Sequence, residues 1–121
     1  MGQAAGQRSM VAAAYVPDRG HIVWITLSDG SGHEQAGRRP ALVISPRIYN
    51  ARSGMVLLCP ITSQAKEYPF EVAVGAGRVR GVALVDQLRS IDWQVRRAQY
   101  AGRLSAGVFQ EVQEKVKKLI E

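Results

Sequence analysis

Between Gly20 and Arg103 the chain is a succession of short β-prone runs, each cut by Gly, Pro, Asn or Asp, with no room between them for crossover helices. Because parallel strands need a crossover of a dozen or more residues, that punctuation favours antiparallel pairing in a small barrel or sandwich. The first run, His21-Ile22-Val23-Trp24-Ile25-Thr26-Leu27, is β-branched and aromatic, and Ser28-Asp29-Gly30-Ser31-Gly32 breaks it. Further strands are expected at residues 41–45, 55–60, 70–74, 81–88, 93–97 and 100–103. Pro46-Arg47-Ile48-Tyr49-Asn50 reads as a short helical turn, Thr62 to Tyr68 as a polar loop, and Gly75-Ala76-Gly77 as a hairpin turn. The period then changes: Val108, Phe109, Val112, Val116, Leu119 and Ile120 recur at helical spacing and form one apolar stripe. Ser105 is placed to cap this helix and Leu104 to staple onto Phe109, while Glu111/Lys115 and Glu114/Lys118 are i,i+4 pairs in the favourable order. The expected fold is mainly β with a C-terminal α-helix closing one side of the barrel.

At 121 residues this is one domain with a core of its own, expected over residues 14–121 behind a flexible tail at 1–13 rich in Gly, Ala, Gln and Ser. Sixteen Lys and Arg against ten Asp and Glu give +6 and a pI near 10. Eleven of the sixteen basic residues lie from Arg38 to Arg103 rather than in a basic tail, so they must decorate the folded surface. Such a surface suits a polyanion, nucleic acid first, although a basic protein with no such partner has the same composition. The single cysteine, Cys59, lies in an apolar strand, fits a core position and permits no internal disulfide, in keeping with a reducing cytosol. No stretch reads as a membrane span or a secretory signal, so the expected location is cytoplasmic.

His33-Glu34-Gln35-Ala36-Gly37-Arg38-Arg39-Pro40 puts a carboxylate and two guanidiniums on a turn that leads into the apolar Ala41-Leu42-Val43-Ile44. Gly37 supplies backbone freedom, and Pro40 pushes Arg39 toward an extended conformation. The octapeptide alone fits either a site or a solvated turn with an Arg–Glu pair of little worth. His21 and His33 have no partner at metal-ligand spacing, and a lone Cys makes no thiolate cluster, so no metal is expected. Gly75-Ala76-Gly77 lacks the lysine and helix of a phosphate loop.

Acid–base and electrostatic chemistry on a phosphodiester remains. RNA cleavage without a metal needs a base for the 2′-hydroxyl, a proton donor for the 5′-oxygen and positive donors for the phosphorane charge. Glu34, Arg39 and Thr62 supply groups for these tasks; Arg39 is better suited to stabilise charge than to shuttle a proton. A loop threonine also makes turn hydrogen bonds, and a loop histidine such as His33 has a suitable pKa but is often a bystander.

Tyr15-Val16-Pro17-Asp18, Gly20-His21-Ile22-Val23-Trp24, the Glu34 to Pro40 block, Ser45-Pro46 and Pro60-Ile61-Thr62-Ser63-Gln64 together resemble the MazF/PemK family of toxin endoribonucleases. Tyr68-Pro69-Phe70-Glu71-Val72 and Gly81-Val82-Ala83-Leu84-Val85-Asp86-Gln87 extend the resemblance in order along the chain. It implies a Src-homology-3-like small β-barrel of the PemK/CcdB toxin type, a homodimer, and metal-independent cleavage of single-stranded mRNA to a 2′,3′-cyclic phosphate and a 5′-hydroxyl, without a cofactor. The family's catalytic arginine falls on Arg39, its threonine on Thr62, and the glutamate implicated in some members on Glu34. By position, Ser31, His33, Arg38, Gln64, Lys66 and Gln87 are expected to contact RNA, with Arg38 alternatively a structural neighbour. Trp24 is assigned to the barrel or dimer core rather than to base stacking. The implied partners are a cognate acidic MazE-like antitoxin whose disordered tail covers the basic cleft, and operator DNA reached through that complex. The competing readings are a gyrase poison of the CcdB type, which relies on a tryptophan near its end where this chain has Lys117-Lys118-Leu119-Ile120-Glu121, and a non-catalytic nucleic-acid-binding barrel.

Overall fold

The computed structural model describes residues 14–27 and 37–121. The expected tail and three candidate site residues, Ser31, His33 and Glu34, lie outside them. Strand β1 (His21–Thr26) pairs with β2 (Arg38–Val43), and β2 pairs with β3 (Met55–Thr62). Between β2 and β3 runs helix α1 (Arg47–Ser53), which Gly54 closes at φ 74°. β4 (Glu71–Ala76) and β5 (Val79–Leu84) make a hairpin; β6 (Arg89–Asp92), β7 (Gln99–Arg103) and helix α2 (Ala106–Ile120) follow. All pairings are antiparallel, in the order β4-β5-β3-β2-β1-β7, with β6 also on β3. The sheet curls into a half-closed barrel, as the expected fold class requires.

Both faces of the central strands are covered, which explains why β1 and β2 carry apolar residues without strict alternation. Ile22, Leu42, Cys59 and Ile61 pack with Val72, Ala83 and, from α2, Phe109 and Val112. Val23, Ile25, Ala41, Val43 and Leu58 pack on the other side with Ile91 and Trp93. Burial pushes the Cys59 thiol up to about 12, consistent with its expected place in the core. The end strands β4 and β7 meet at two glycines. A β-carbon on Gly77 would strike the Ala101 carbonyl oxygen, and one on Gly102 would stand 2.7 Å from Ala76 Cβ. That close approach pins the tip of the β4–β5 hairpin.

Residues 93–97 differ from expectation. They form a turn, and the strand is Arg89–Asp92. The Asp92 carboxylate accepts the N–H groups of Gln94 (3.0 Å) and Val95 (2.9 Å), and this local bonding outweighs the β-propensity of Trp93 and Val95. Trp93 is still buried, with its Nε1–H donating to Asn50 O at 2.8 Å. Likewise the run expected at 81–88 is a strand only at Val79–Leu84, because Val85 and Gln87 enter a turn closed onto Phe70 O and Leu84 O. In α2, Ser105 Oγ accepts Val108 N–H at 3.3 Å and Leu104 shares a core with Phe109, as expected. The i,i+4 charges do not close; among the described residues the ion pair is Arg47–Asp18 at 3.7 Å.

Candidate active site

The site begins where two strands part. The β2–β3 ladder pairs Val43 with Leu58, Leu42 with Cys59 and Ala41 with Pro60, and stops there. Continued by two residues, that register would place Arg39 opposite Thr62. Pro40 stands at the split, where the alternation that turns Ile44 N–H onto Leu57 O would have turned its missing N–H toward β3. Pro60 also falls where the other edge of β3 changes partner, from β6, which ends at Leu58, to β5, which begins at Ile61. The strands therefore splay, and the candidate arginine and threonine stand on the two lips of the opening.

The opening is the end of a cleft of about 750 Å³, whose lining includes Trp24, Arg39, Pro40, Pro60, Thr62, Gln64 and Gln87. Four arginines line it, Arg39, Arg78, Arg80 and Arg89, and no described carboxylate does. Arg39 and Arg78 have no hydrogen-bond or ion-pair partner among the described residues. Arg89 Nη2 donates to Leu27 O at 3.2 Å, tying the cleft floor to the end of β1. There Leu27 N donates to Gly37 O at 2.8 Å, two residues before Arg39. Thr62 Oγ1 accepts Gln64 N–H at 3.2 Å, the turn bond expected of such a threonine; its O–H proton and second lone pair are left for a ligand. A hollow of about 320 Å³ adjoins the cleft, shares Thr62, Gln64 and Gln87 with it, and adds Lys66 and Tyr68. Its rim is shaped by the Glu71 carboxylate, which accepts the backbone N–H groups of Lys66 (3.1 Å) and Glu67 (3.0 Å). Tyr68 Oη donates to Asp86 at 2.7 Å, and that bond to a carboxylate raises its pKa.

Two sequence expectations carry alternatives that the structure sorts, with Arg38 taking the structural one. Trp24 is 38% exposed and lines the cleft rather than the barrel core, because Val23 and Ile25 point to the other side of β1. Arg38 is not brought to the cleft. Its guanidinium donates to Arg97 O (2.8 Å), Arg96 O (3.2 Å), Gln99 Oε1 (3.3 Å) and Thr26 Oγ1 (3.4 Å), and burial together with nearby Arg97 lowers its pKa. It latches the start of β2 to the turn before β7. Arg78, Arg80 and Arg89 were not singled out by sequence reasoning; the signal was the i,i+2 spacing of Arg78 and Arg80 around the buried Val79. Among the described residues no group of three His, Cys, Asp or Glu side chains could hold a metal ion, and no helix is long and apolar enough to cross a membrane.

Away from the cleft, His21 is buried between donors. Its Nδ1 faces Tyr15 Oη (2.7 Å) and Asp18 N–H (3.2 Å), and its Nε2 faces the Arg103 guanidinium (3.1 Å). A protonated ring would turn both N–H groups on donors, so burial and Arg103 lower its pKa.

This geometry has counterparts in known proteins. Residues 18–120 match the family described as the PemK-like, MazF-like toxin of type II toxin–antitoxin systems. The chain belongs to this family. Among its relatives is the endoribonuclease toxin MazF of Escherichia coli K12, 43% identical over 110 residues, covering 91% of this chain and 99% of that protein. The endoribonuclease PemK of Escherichia coli is 34% identical over 100 residues, covering 78% of this chain and 75% of PemK. Among solved structures, MazF of Deinococcus radiodurans superposes with a TM-score of 0.79 at 50% identity, covering 88% of this chain and 98% of that one. A MazE–MazF structure from the same organism superposes at 0.77 and 46% identity, covering 88% and 97%. As a member of the MazF/PemK family this toxin is an endoribonuclease by kinship, and the gyrase-poison reading is not favoured.

Proposed function

We propose that this toxin cleaves single-stranded mRNA at a short sequence motif by metal-independent transesterification, arresting translation and growth. The observation that carries the reading is the placement of Arg39 and Thr62 together past the end of the β2–β3 ladder, in a cleft lined by four arginines and no described carboxylate. The 2′-oxygen attacks phosphorus, the bond from phosphorus to the 5′-oxygen breaks, and a 2′,3′-cyclic phosphate and a 5′-hydroxyl result. Arg39 holds the phosphorane oxygens with its two-pronged guanidinium, and Thr62 orients a non-bridging oxygen through its hydroxyl proton. Glu34, or a water, takes the 2′-hydroxyl proton, and that group or a second water returns a proton to the departing 5′-oxygen. Gln64, Lys66 and Gln87, with Ser31 and His33, read the unstacked bases by hydrogen bonds to their edges, and Trp24 offers one of them a stacking face.

The same cleft suits the acidic, disordered tail of a cognate antitoxin, in keeping with relatives solved as MazE–MazF complexes. A homodimer, a cytoplasmic location and operator DNA contacted through the antitoxin complete the reading. The test is cleavage of a defined mRNA in EDTA, with end-group analysis. Cutting that persists in EDTA, leaves cyclic phosphate ends and falls by about 10²–10³-fold in Arg39→Ala is expected, on the scale of losing one preorganised donor. Loss of cutting in EDTA refutes the metal-free route, and full cutting by Glu34→Gln removes Glu34 as the base.

A further inference from the structure

The β4–β5 hairpin, which pairs with β3 at Ile61 and Thr62, lines the cleft beyond them and is built to present two arginines. Arg78, in the hairpin turn, and Arg80, in β5, are exposed on either side of the buried Val79, and both line the cleft. Each is held in place by a glycine. Gly77, at φ 58°, lets the hairpin tip lie on the Ala101 backbone, fixing the backbone that carries Arg78. Gly75 lies under Arg80, where a β-carbon would stand 2.9 Å from Arg80 Cδ, so the missing side chain is the bed of the arginine. Arg80 Nη1 donates to Val79 O (2.8 Å) and Gly77 O (3.3 Å), which leaves its other guanidinium edge uncommitted. Arg78 makes no bond to any described residue. Two ordered cations without a carboxylate beside them, in one cleft with an exposed indole, are a costly arrangement for a free surface and a favourable one for a polyanion.

We propose that Arg78 and Arg80 form a second phosphate subsite, gripping the RNA backbone next to the nucleotides held at Arg39 and Thr62. This rests on the endoribonuclease reading of the same cleft and adds the direction in which the strand leaves it: across Trp24 toward the hairpin tip. RNA is favoured over an acidic peptide because the arginines share a continuous cleft with the Arg39–Thr62 mouth. Phosphate contacts position a strand without reading its sequence, so the subsite lowers the concentration of RNA required and leaves the choice of cut site alone.

The test uses the full chain and a fluorescein-labelled 2′-O-methyl oligoribonucleotide, which lacks the attacking hydroxyl and so reports binding alone. Each contact between a cation and a single-strand phosphate contributes about 0.7 to the slope of log K against log salt, so Arg78→Ala/Arg80→Ala should flatten that slope by about 1.4. From equality at about 1 M salt, this extrapolates to roughly 25-fold weaker binding at about 0.1 M. Arg78→Lys/Arg80→Lys should restore most of the slope, and the pattern of cut sites in an mRNA should be unchanged in both variants. An unchanged slope in the alanine variant overturns the proposal, as does an unchanged slope with weakened binding of a glutamate-rich peptide, which would assign the hairpin to an acidic partner. Because the slope is read on binding, failure of the wild-type chain to cut RNA would refute the activity without deciding the subsite.

Discussion

Arg38→Met separates a latch from a nucleic-acid contact at the residue beside the candidate catalytic arginine. Met keeps the length of the stem and removes the guanidinium. Of the four bonds lost, those to Arg97 O at 2.8 Å and Arg96 O at 3.2 Å have good geometry, whereas those to Gln99 at 3.3 Å and Thr26 at 3.4 Å are beyond the usual range. A hydrogen bond from a charged donor contributes about 1.5–3 kcal/mol. The Arg96 bond is half-buried and stands near the lower figure, while the Arg97 bond is exposed and water replaces much of it, so the loss should be about 2 kcal/mol. With an unfolding entropy of about 2.1 cal/mol/K per residue over 121 residues, each kcal/mol moves Tm by about 4 °C. The expected fall is therefore about 8 °C, measured by calorimetry against wild type at equal protein concentration. Salt dependence of binding to the 2′-O-methyl probe should not change, because the guanidinium faces the β7 turn. A Tm within about 2 °C of wild type, with a slope flattened by about 0.7, would refute the latch and make Arg38 an RNA contact.

Two further outcomes follow from buried polar groups. Asn50 is fully buried; its Nδ2 donates to Pro17 O (2.8 Å) and Ser45 O (3.0 Å), and its Oδ1 accepts Ser45 Oγ–H (2.6 Å), so Asn50→Ala orphans two carbonyls and a hydroxyl. A loss of roughly 3–5 kcal/mol is expected in denaturant unfolding, and less than about 1 kcal/mol would show that water or rearrangement repairs the site. Stability should also fall in acid. The folded pKa of His21 lies below its unfolded value, so as pH drops through about 6.5 the unfolded chain takes a proton that the folded chain refuses. Burial pushes the Asp18 carboxyl up, but N–H groups of Arg47 and Arg19 and the Arg47 guanidinium outweigh it, so its contribution is present above about pH 3.9 and lost below. Tm should decline from about pH 6.5 downward, and His21→Phe should remove the upper part of that decline; an unchanged profile in the variant would place the titration elsewhere.

What could be read from the residues was what local chemistry decides. Short apolar runs, the Ser105 cap and the Leu104–Phe109 staple specify strands and a helix whose partners lie nearby, and all appear in the structure. The strand at 93–97 was misplaced because Asp92 competes for the backbone N–H groups that a ladder would use. The exposure of Trp24 on the barrel has a different reason: with both faces of β1 apolar, only the point where β2 leaves β3 decides which face stays open, and that depends on register. Arg78 and Arg80 are announced only as an i,i+2 pair; that they and Arg89 join Arg39 depends on the curl of the sheet, which no linear spacing shows. Arg38 was within reach of sequence reasoning. Neighbours on a strand face opposite ways, and starting β2 at Arg38 rather than at Ala41 would have separated the two arginines.

Pro40 connects fold to chemistry. A central ladder closed to its end would set Arg39 directly across from Thr62 as an ordinary cross-strand pair. Pro40, which has no N–H to donate toward Ile61, ends the ladder two positions short and converts that cross-strand pair into the facing lips of a cleft. Both lips remain continuous with paired, buried strand, so their side chains are positioned by the core rather than by loops, as a site relying on preorganised charge requires. Pro40→Val would give β2 back a donor at the split, facing Ile61 O. If it draws β2 and β3 together, amide exchange at Ile61 should slow while cutting declines and Tm holds or rises. Unchanged exchange would mean that the opening is set by the curl of the sheet, with Pro40 merely tolerated there.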